Sequence, residues 1–213
     1  HNDKTMFLID DVVRVKDDYF LSHYYNTIFI PNGSFFQQLS TSGSACQDIV
    51  YKNKSIFDYE FQPNTYSPYI FTPNNVKYFQ NKKAYTSINY SNSLNGGQYF
   101  KVDFAKNIYK GLNLQTQYDV NYADGDFSYS QVMNQFFNVT LNYITPKGRY
   151  RVGGGFIHNR AYILESGGIT SDSLFIHSLF DKTENYPINY TNAYSKWKSS
   201  EFVLNKNINI QNE

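Results

Sequence analysis

The stretch Gly111–Tyr122, which reads GLNLQTQYDVNY, decides the fold class. Its apolar or amphipathic residues fall on every second position: Leu112, Leu114, Thr116, Tyr118, Val120 and Tyr122. Polar residues occupy the positions between them: Asn113, Gln115, Gln117, Asp119 and Asn121. Successive side chains of a strand point to opposite faces, whereas helical spacing would scatter both sets. The stretch therefore predicts a β-strand with one apolar and one polar face.

The same alternation recurs in neighbouring segments. Clear members of the series are Gln98–Lys106, Phe136–Tyr143 and Arg149–His158, and weaker ones are Tyr85–Tyr90 and Phe202–Ile210. The predicted fold class is therefore all-β, an antiparallel meander.

The predicted connections alternate between short and long. Asn107–Lys110 is a short link, and Thr145–Gly148 is a tight turn with proline and glycine in turn positions. Ala123–Ser130 is longer, and a long excursion covers about residues 160–198. Short turns at one end and long loops at the other are typical of outer-membrane barrels, in which the turns are periplasmic and the loops extracellular.

Two regions are predicted along the chain. Residues 84–213 carry the strand series, and residues 1–83 form an irregular lead-in with early strands. Candidate strands in the lead-in are Thr27–Ile30 and Ile49–Phe61. The stretch that follows contains three prolines, which interrupt a strand ladder: Pro63, Pro68 and Pro73.

Composition supports an all-β protein and excludes several other classes. Aromatic residues make up 19% of the chain, with 21 Tyr and 18 Phe, and these residues suit pleated, half-buried surfaces. The formal net charge of +1 provides no strong field for nucleic acid. The single cysteine, Cys46, excludes an internal disulfide and is expected to be a buried thiol.

The contents of the two faces favour a membrane barrel. Large aromatic residues lie near the ends of the predicted strands, as in Tyr99 with Phe100, Tyr118 with Tyr122, and Tyr143. Aromatic girdles at both interfaces are expected of membrane barrels, and a polar opposite face suits a water-filled lumen. The mid-strand glycines Gly153–Gly155 are typical of curvature or close backbone approach.

The pattern also fits a different class, a secreted or surface β-sandwich that binds carbohydrate or protein through its aromatic residues. Apolar and polar residues also alternate along the strands of a sandwich, because each sheet buries one face and exposes the other to water. The two alternatives differ in what surrounds the apolar face. Packing of Leu112, Leu114, Tyr118 and Val120 against a second sheet would exclude the barrel.

Short motifs also follow one another in a fixed order along most of the chain. They are Gly43–Ala45, Ile49–Tyr51, Pro68–Tyr69, Val76–Phe79, Ala84–Tyr90, Gly96–Phe100, Asn107–Ile108, Gly111–Asn113, Gly148–Tyr150, Glu165–Ile169, Tyr186–Ile188 and Ala193–Ser195. This series resembles the Bacteroidetes putative porin family. The resemblance implies a β-barrel in the outer membrane of a Gram-negative bacterium, surrounded by outer-membrane lipid and passed by small hydrophilic solutes. It implies no cofactor and no catalytic residue, so we expect a protein that is not an enzyme.

Two departures from the family concern the length and the end of the chain. Family members are longer than these 213 residues, and the chain ends at Asn212–Glu213 rather than on a strand with a terminal aromatic residue. We therefore expect the N-terminal portion of a longer protein, with a barrel that is incomplete in this chain.

If the apolar faces meet lipid, the polar and charged residues between them line the lumen and set its ion preference. The pore-lining residues predicted in this way are Lys101, Asp103, Gln115, Gln117, Asp119, Arg149 and Arg151. The alternative for these residues is a solvated outer surface. The loop Tyr162–Lys198 is rich in apolar residues, and it either folds inward to narrow the pore, packs on the rim, or binds a partner at the outer surface.

Other groups of polar residues give weaker indications of a functional site. His158 and His177 have Asp172 and Asp181 nearby in sequence, but their spacing fits no short zinc pattern, so a metal or hydrolytic site is not favoured over exposed loop residues. Asp124–Asp126 resembles part of a calcium loop without its remaining ligands, and a polar loop tip is favoured there.

Overall fold

The computed structural model describes residues 4–7, 12–15, 36–38, 41–49, 64–76, 78–80, 83–92, 96–146, 149–177 and 180–208. Within these ranges the regular structure is almost entirely β. The first five strands are short: β1 (Lys4–Phe7), β2 (Val12–Val15), β3 (Phe36–Gln38), β4 (Cys46–Asp48) and β5 (Tyr78–Gln80). They form two small antiparallel sheets, one in the order β2-β1-β5 and one that pairs β3 with β4.

The other six strands form one antiparallel meander in which each strand pairs with its neighbour in sequence. They are β6 (Tyr85–Asn92), β7 (Gln98–Tyr109), β8 (Leu112–Ala123), β9 (Val132–Ile144), β10 (Tyr150–Leu164) and β11 (Tyr194–Ile208). Each predicted member of the strand series corresponds to one of these strands, so the all-β meander is confirmed. In the described part of the chain β6 and β11 are the two edges, and the sheet is not closed into a barrel.

The lead-in is only partly described. Thr27–Ile30 lies outside the described residues, as does Ile49–Phe61 apart from Ile49. The proline-containing stretch forms two 3-10 helices, Asn64–Tyr69 and Pro73–Asn75.

The connections alternate in length, but the link predicted at Asn107–Lys110 lies later, because Asn107–Tyr109 belong to β7. Of the predicted turn Thr145–Gly148, the last two residues lie outside the described part of the chain. β7 and β8 are joined by a tight turn at Lys110–Gly111, next to a bulge between Asn107 and Tyr109. The connections at the opposite end are longer, residues 124–131 between β8 and β9 and residues 165–193 between β10 and β11. The latter connection contains the short helix α1 (Asp172–Ile176) and the 3-10 helix Thr183–Asn185.

The long connection is shorter than the predicted span of about 160–198. Residues 160–164 belong to β10 and residues 194–198 to β11, because the ladder continues from Arg160 opposite Lys198 to Leu164 opposite Tyr194. Backbone pairing extends these strands through a stretch of β11 whose side chains do not alternate between apolar and polar.

The hydrophobic core lies between the six-stranded sheet and the N-terminal segment, by which we mean residues 41–49, 64–76 and 78–80. One cluster joins Val76 and Tyr78 to Phe136, Ile144 and Ile157 of the sheet. A second cluster joins Cys46, Tyr66 and Tyr69 to Val132, Ala161 and Ile163. Full burial of one aliphatic side chain contributes about 1.5–3 kcal/mol. These clusters therefore fix the N-terminal segment against one face of the sheet.

Candidate functional site

The six-stranded sheet has one covered face and one exposed face. The covered face, called the inner face here, carries a set of buried polar residues: Asn113, Gln115, Gln117, Asn121, Asn134, Asn138, Thr140, Asn142 and Asn159. The opposite, outer face carries the apolar residues that alternate with them, among them Val102, Leu114, Phe137, Leu141 and Phe156.

The outer face exposes large apolar side chains. Phe202 is 86% exposed, Leu204 is 83% exposed and Ile88 is 66% exposed. Both smaller sheets reach the inner face, through Cys46 and Tyr78, and no described element forms a second sheet over the outer face. The packing that the sandwich alternative requires at Leu112–Val120 is therefore absent from the described part of the chain.

Tyrosines lie on the outer face near both ends of the strands. At the end with the long loops they are Tyr90, Tyr122, Tyr162 and Tyr194, and at the end with the short turns they are Tyr109, Tyr143 and Tyr150. The rings of Tyr162 and Tyr194 are 5.7 Å apart. The band between the two groups is mostly aliphatic and Phe, but it also contains Tyr118, which lies in the middle of β8 rather than near its end, and the polar residues Thr116, Gln135, His158 and Ser200. Tyr99, predicted to share the apolar side with Phe100, lies on the inner face instead, since adjacent residues of β7 point to opposite faces.

The buried amides of β8 and β9 bind the backbone of the N-terminal segment. Asn121 Nδ2 donates to the carbonyl of Ser42 at 3.0 Å, and Asn134 Nδ2 donates to the carbonyl of Gly43 at 3.1 Å. Gly43 has a φ of +91°, and a Cβ there would lie 2.5 Å from Nδ2 of Asn134. Only glycine therefore fits the chain between these two amides.

Asn159 of β10 makes the most complete contact with the segment. Its Oδ1 accepts from the backbone N–H of Phe71 at 3.0 Å, and its Nδ2 donates to the carbonyl of Phe71 at 2.9 Å. The Phe71 ring stacks on Phe136 with centroids 4.0 Å apart. One inner-face asparagine thus satisfies both backbone groups of a residue in the covering segment, as a neighbouring strand would.

The glycines of β10 allow a close approach on this face. A Cβ on Gly153 would lie 2.7 Å from a ring carbon of Tyr78, whereas a Cβ on Gly154 would have no neighbour closer than 3.6 Å. The close backbone approach predicted for this glycine run is therefore present at Gly153.

A further contact joins the segment to the loop end of the sheet. The Tyr66 hydroxyl donates to Oε1 of Glu165 at 2.5 Å. Burial, followed by the hydrogen bond to Glu165, raises the pKa of Tyr66 to about 12. Nearby, the Cys46 thiol is buried and donates to the carbonyl of Thr65 at 3.0 Å.

Four of the seven predicted pore-lining residues lie close together on the inner face. Lys101 and Asp103 of β7 lie on the inner face and remain partly exposed, at 23% and 19%, with Nζ and Oδ2 3.7 Å apart. Asp119 and Gln117 lie opposite them on β8, and Gln117 Nε2 donates to Oδ2 of Asp119 at 3.1 Å. The structure therefore brings these four residues together in one charged cluster.

The remaining predicted residues lie elsewhere. Gln115 is buried and accepts a hydrogen bond from Thr140 at 3.3 Å. Arg151 is half-buried on the inner face of β10, whereas Arg149 is exposed just before that strand begins.

The sequence placed several inner-face amides on polar sides but did not identify which of them bind the N-terminal segment. Asn121, Asn134 and Asn159 contact residues 79, 91 and 88 positions away, and local alternation carries no signal for such pairs. Asn138 is fully buried and has no hydrogen-bond partner in the described part of the chain.

Within the ranges that it describes, the structure assembles no metal or hydrolytic site from His158 and His177. His158 Nδ1 contacts the Ser200 hydroxyl at 2.8 Å, and His177, Asp172 and Asp181 are exposed. Among the described residues, no three His, Cys, Asp or Glu side chains are grouped closely enough to hold a metal ion. In the same ranges, no helix has the length and apolar character needed to span a membrane.

An antiparallel sheet with an exposed apolar face and a covered polar face has the arrangement expected of a barrel wall in lipid. The sequence profile of the family described as "Putative porin" matches residues 2–213. The chain belongs to this porin family, which indicates a transport-type protein. No curated protein and no solved structure matches the chain.

Proposed function

We propose that this chain forms part of the wall of an outer-membrane β-barrel through which small hydrophilic solutes diffuse. The observation that carries the proposal is the reversed placement of side chains on the six-stranded sheet. In a water-soluble sheet the apolar face is buried and the polar face is solvated. Here Phe202 and Leu204 are exposed while Asn138 and Asn159 are fully buried. Lipid around the outer face accounts for the exposed apolar side chains, and the packing of the N-terminal segment on the inner face accounts for the buried amides.

Strand length and loop asymmetry support a membrane-spanning arrangement. β7–β11 contain 12 to 15 residues each, and roughly 9–11 tilted residues cross the hydrocarbon core. The turn at Lys110–Gly111 then lies on the periplasmic side, and the long connections lie on the extracellular side. Ser128 of the 124–131 loop donates to the carbonyl of Glu184 at 2.7 Å, so the two long loops pack together at the rim.

The solute pathway in this proposal runs along the inner face beside β6 and β7. The N-terminal segment covers the inner face of β9 and β10 and binds Asn121 of β8, where Gln115 and Gln117 are also buried, so it narrows the lumen on that side. Lys101, Asp103 and Asp119 lie along the less covered side. Two carboxylates and one ammonium make this cluster net negative, which favours cations beside it. Gln115, Gln117, Arg149 and Arg151 complete the proposed polar lining, and the two arginines make its turn end positive.

Conductance recording on the full-length protein in planar bilayers tests the proposal. We expect discrete, ohmic current steps. In a salt gradient the variant Asp103→Asn/Asp119→Asn should shift selectivity from cations toward anions relative to the wild type, while a control altered in a rim loop, Asp181→Asn, should keep the wild-type selectivity and step size. Protein that inserts into the bilayer without any current would contradict the diffusion pore and leave a closed structural barrel.

A further inference from the structure

Three cations form a compact group on the outer face, at the end of the sheet with the long loops. Arg160 lies directly opposite Lys198 in the β10–β11 ladder. Lys196 lies two residues nearer the start of β11, opposite Tyr162. All three side chains are exposed. Directly opposed residues have Cβ atoms about 5 Å apart, so Arg160 and Lys198 are held within contact distance of each other.

This cation group is not neutralised by the protein. Like charges placed directly opposite each other in a sheet are destabilising. No ion pair joins any of the three to a carboxylate within the described residues. Their outer-face neighbours Gln135, His158 and Ser200 carry no negative charge, and Glu201 points to the inner face. The group therefore presents an uncompensated positive charge to its surroundings.

The position of the cation group along β10 and β11 puts its charges within reach of the lipid headgroups. The last apolar pair below it on these two strands is Phe156 opposite Phe202, four residues from Arg160. That separation is about 13 Å along a strand, and about 9 Å along the membrane normal for a strand tilted by about 45°. Lys196 lies opposite Tyr162 of the Tyr162–Tyr194 aromatic pair, where tyrosines mark the membrane interface. Arg160 and Lys198 lie two residues closer to the midplane, a distance that their long side chains span by extending toward the headgroups.

We propose that Arg160, Lys196 and Lys198 bind the phosphate of an anionic lipid in the leaflet on the loop side. The guanidinium of Arg160 suits two phosphate oxygens at once, and the two ammonium groups supply point charges beside it. The acyl chains of the same lipid lie over Phe156 and Phe202. Charge complementarity with the phosphate and continuity with the apolar band identify a membrane lipid as the ligand. The inference rests on the proposed membrane location.

The test uses full-length protein in phosphatidylcholine nanodiscs, with binding of a bisphosphorylated lipid A measured by native mass spectrometry. The variant Arg160→Gln/Lys196→Gln/Lys198→Gln should bind this lipid more weakly by on the order of 100-fold, since each cation contributes attraction to an anionic surface. The matched control Lys106→Gln/Lys110→Gln/Lys206→Gln also removes three exposed cations, but these lie at the turn end of the sheet, on β7, in the β7–β8 turn and on β11. It should bind as the wild type does. Dephosphorylated lipid A should bind weakly to every form.

Equal retention of lipid A by the triple variant and the wild type would overturn the proposal, as would equal binding of the dephosphorylated lipid. Complete displacement by millimolar inorganic phosphate would also overturn it, because the site would then recognise a free anion rather than a lipid. Conductance of the triple variant should stay at the wild-type level. Wild-type protein that conducts but does not select the phosphorylated lipid refutes this inference alone, whereas protein that fails to insert refutes the proposed function as well.

Discussion

The two faces of the six-stranded sheet share one backbone and have opposite surroundings. On the inner face Asn159 is fully buried and pairs with both backbone groups of Phe71. On the outer face Phe202 is 86% exposed and contacts only Phe156 among the described aromatic rings. A buried amide is costly unless it is hydrogen-bonded, and an exposed apolar band is costly unless it leaves water. On the inner face the N-terminal segment supplies hydrogen-bond partners for several of the buried amides. On the outer face the apolar band leaves water only if lipid covers it.

The largest expected effect comes from placing a charge on the outer face. Phe202→Arg should lower the free energy of unfolding in lipid vesicles by about 2–4 kcal/mol, the cost of arginine near the bilayer midplane. At an exposed site in water the same change alters stability by only about 0.5 kcal/mol.

Urea titration of the full-length protein in vesicles measures this difference. Tyr190→Arg serves as control, because Tyr190 is also an exposed aromatic residue but lies in the long loop. Equal, small effects of both substitutions would show that the outer face is solvated.

Two adjacent glycines on opposite faces provide the second comparison. Gly153→Ala should destabilise the protein by about 1–3 kcal/mol, since its Cβ would overlap the Tyr78 ring and force overpacking. Gly154→Ala should be tolerated, because its Cβ would meet only ordinary contacts at 3.6 Å and beyond. Thermal unfolding distinguishes the two variants. A larger loss in Gly154→Ala would mean that the covered and exposed faces have been assigned the wrong way round.

The third comparison concerns how firmly the N-terminal segment is held. Asn159→Leu removes two hydrogen bonds to Phe71 and leaves its backbone groups unpaired, at a cost of about 1–3 kcal/mol. The buried Cys46 thiol should then react with a water-soluble maleimide roughly tenfold faster, since about 1.4 kcal/mol corresponds to one order of magnitude.

Asn89→Leu is the matched control for this experiment. Asn89 also lies on the inner face, but its amide contacts Ser87 of its own strand. Unchanged Cys46 labelling in Asn159→Leu, or equal acceleration in both variants, would refute the role of the Asn159–Phe71 contact.

The smallest effect is a dependence of stability on pH. The pKa of Tyr66 is raised from 10.0 to about 12 in the folded protein, so its neutral form is favoured by folding. This contribution is present below pH 10.0 and is lost as the pH rises toward about 12. Tyr66→Phe should therefore lose less stability than the wild type between these pH values, as measured by urea titration. Parallel pH profiles would show that folding does not raise the pKa of Tyr66.

The sequence predicted the sheet well because its strands alternate strictly. The pattern in Gly111–Tyr122 corresponds to β8, and every residue was assigned to its correct side of that strand. It predicted the ends of β10 and β11 poorly, since Ser195, Lys196 and Lys198 show no apolar alternation and are ordered by cross-strand pairing. Local spacing also contains no signal for contacts between distant parts of the chain, such as Asn121 with Ser42. For that reason the covering role of the N-terminal segment emerged only from the structure, and the lumen-lining residues remain predictions.

The most direct test of the central claim is cysteine scanning of Leu112–Tyr122 in outer membranes, with the full-length protein and Cys46 replaced by alanine. The account predicts that the even-numbered positions react with a lipid-soluble probe and resist a water-soluble thiol reagent. The odd-numbered positions should show the reverse preference or be shielded by the N-terminal segment. Labelling of the even-numbered positions by the water-soluble reagent in intact membranes would contradict the account, because the apolar face would then be in water.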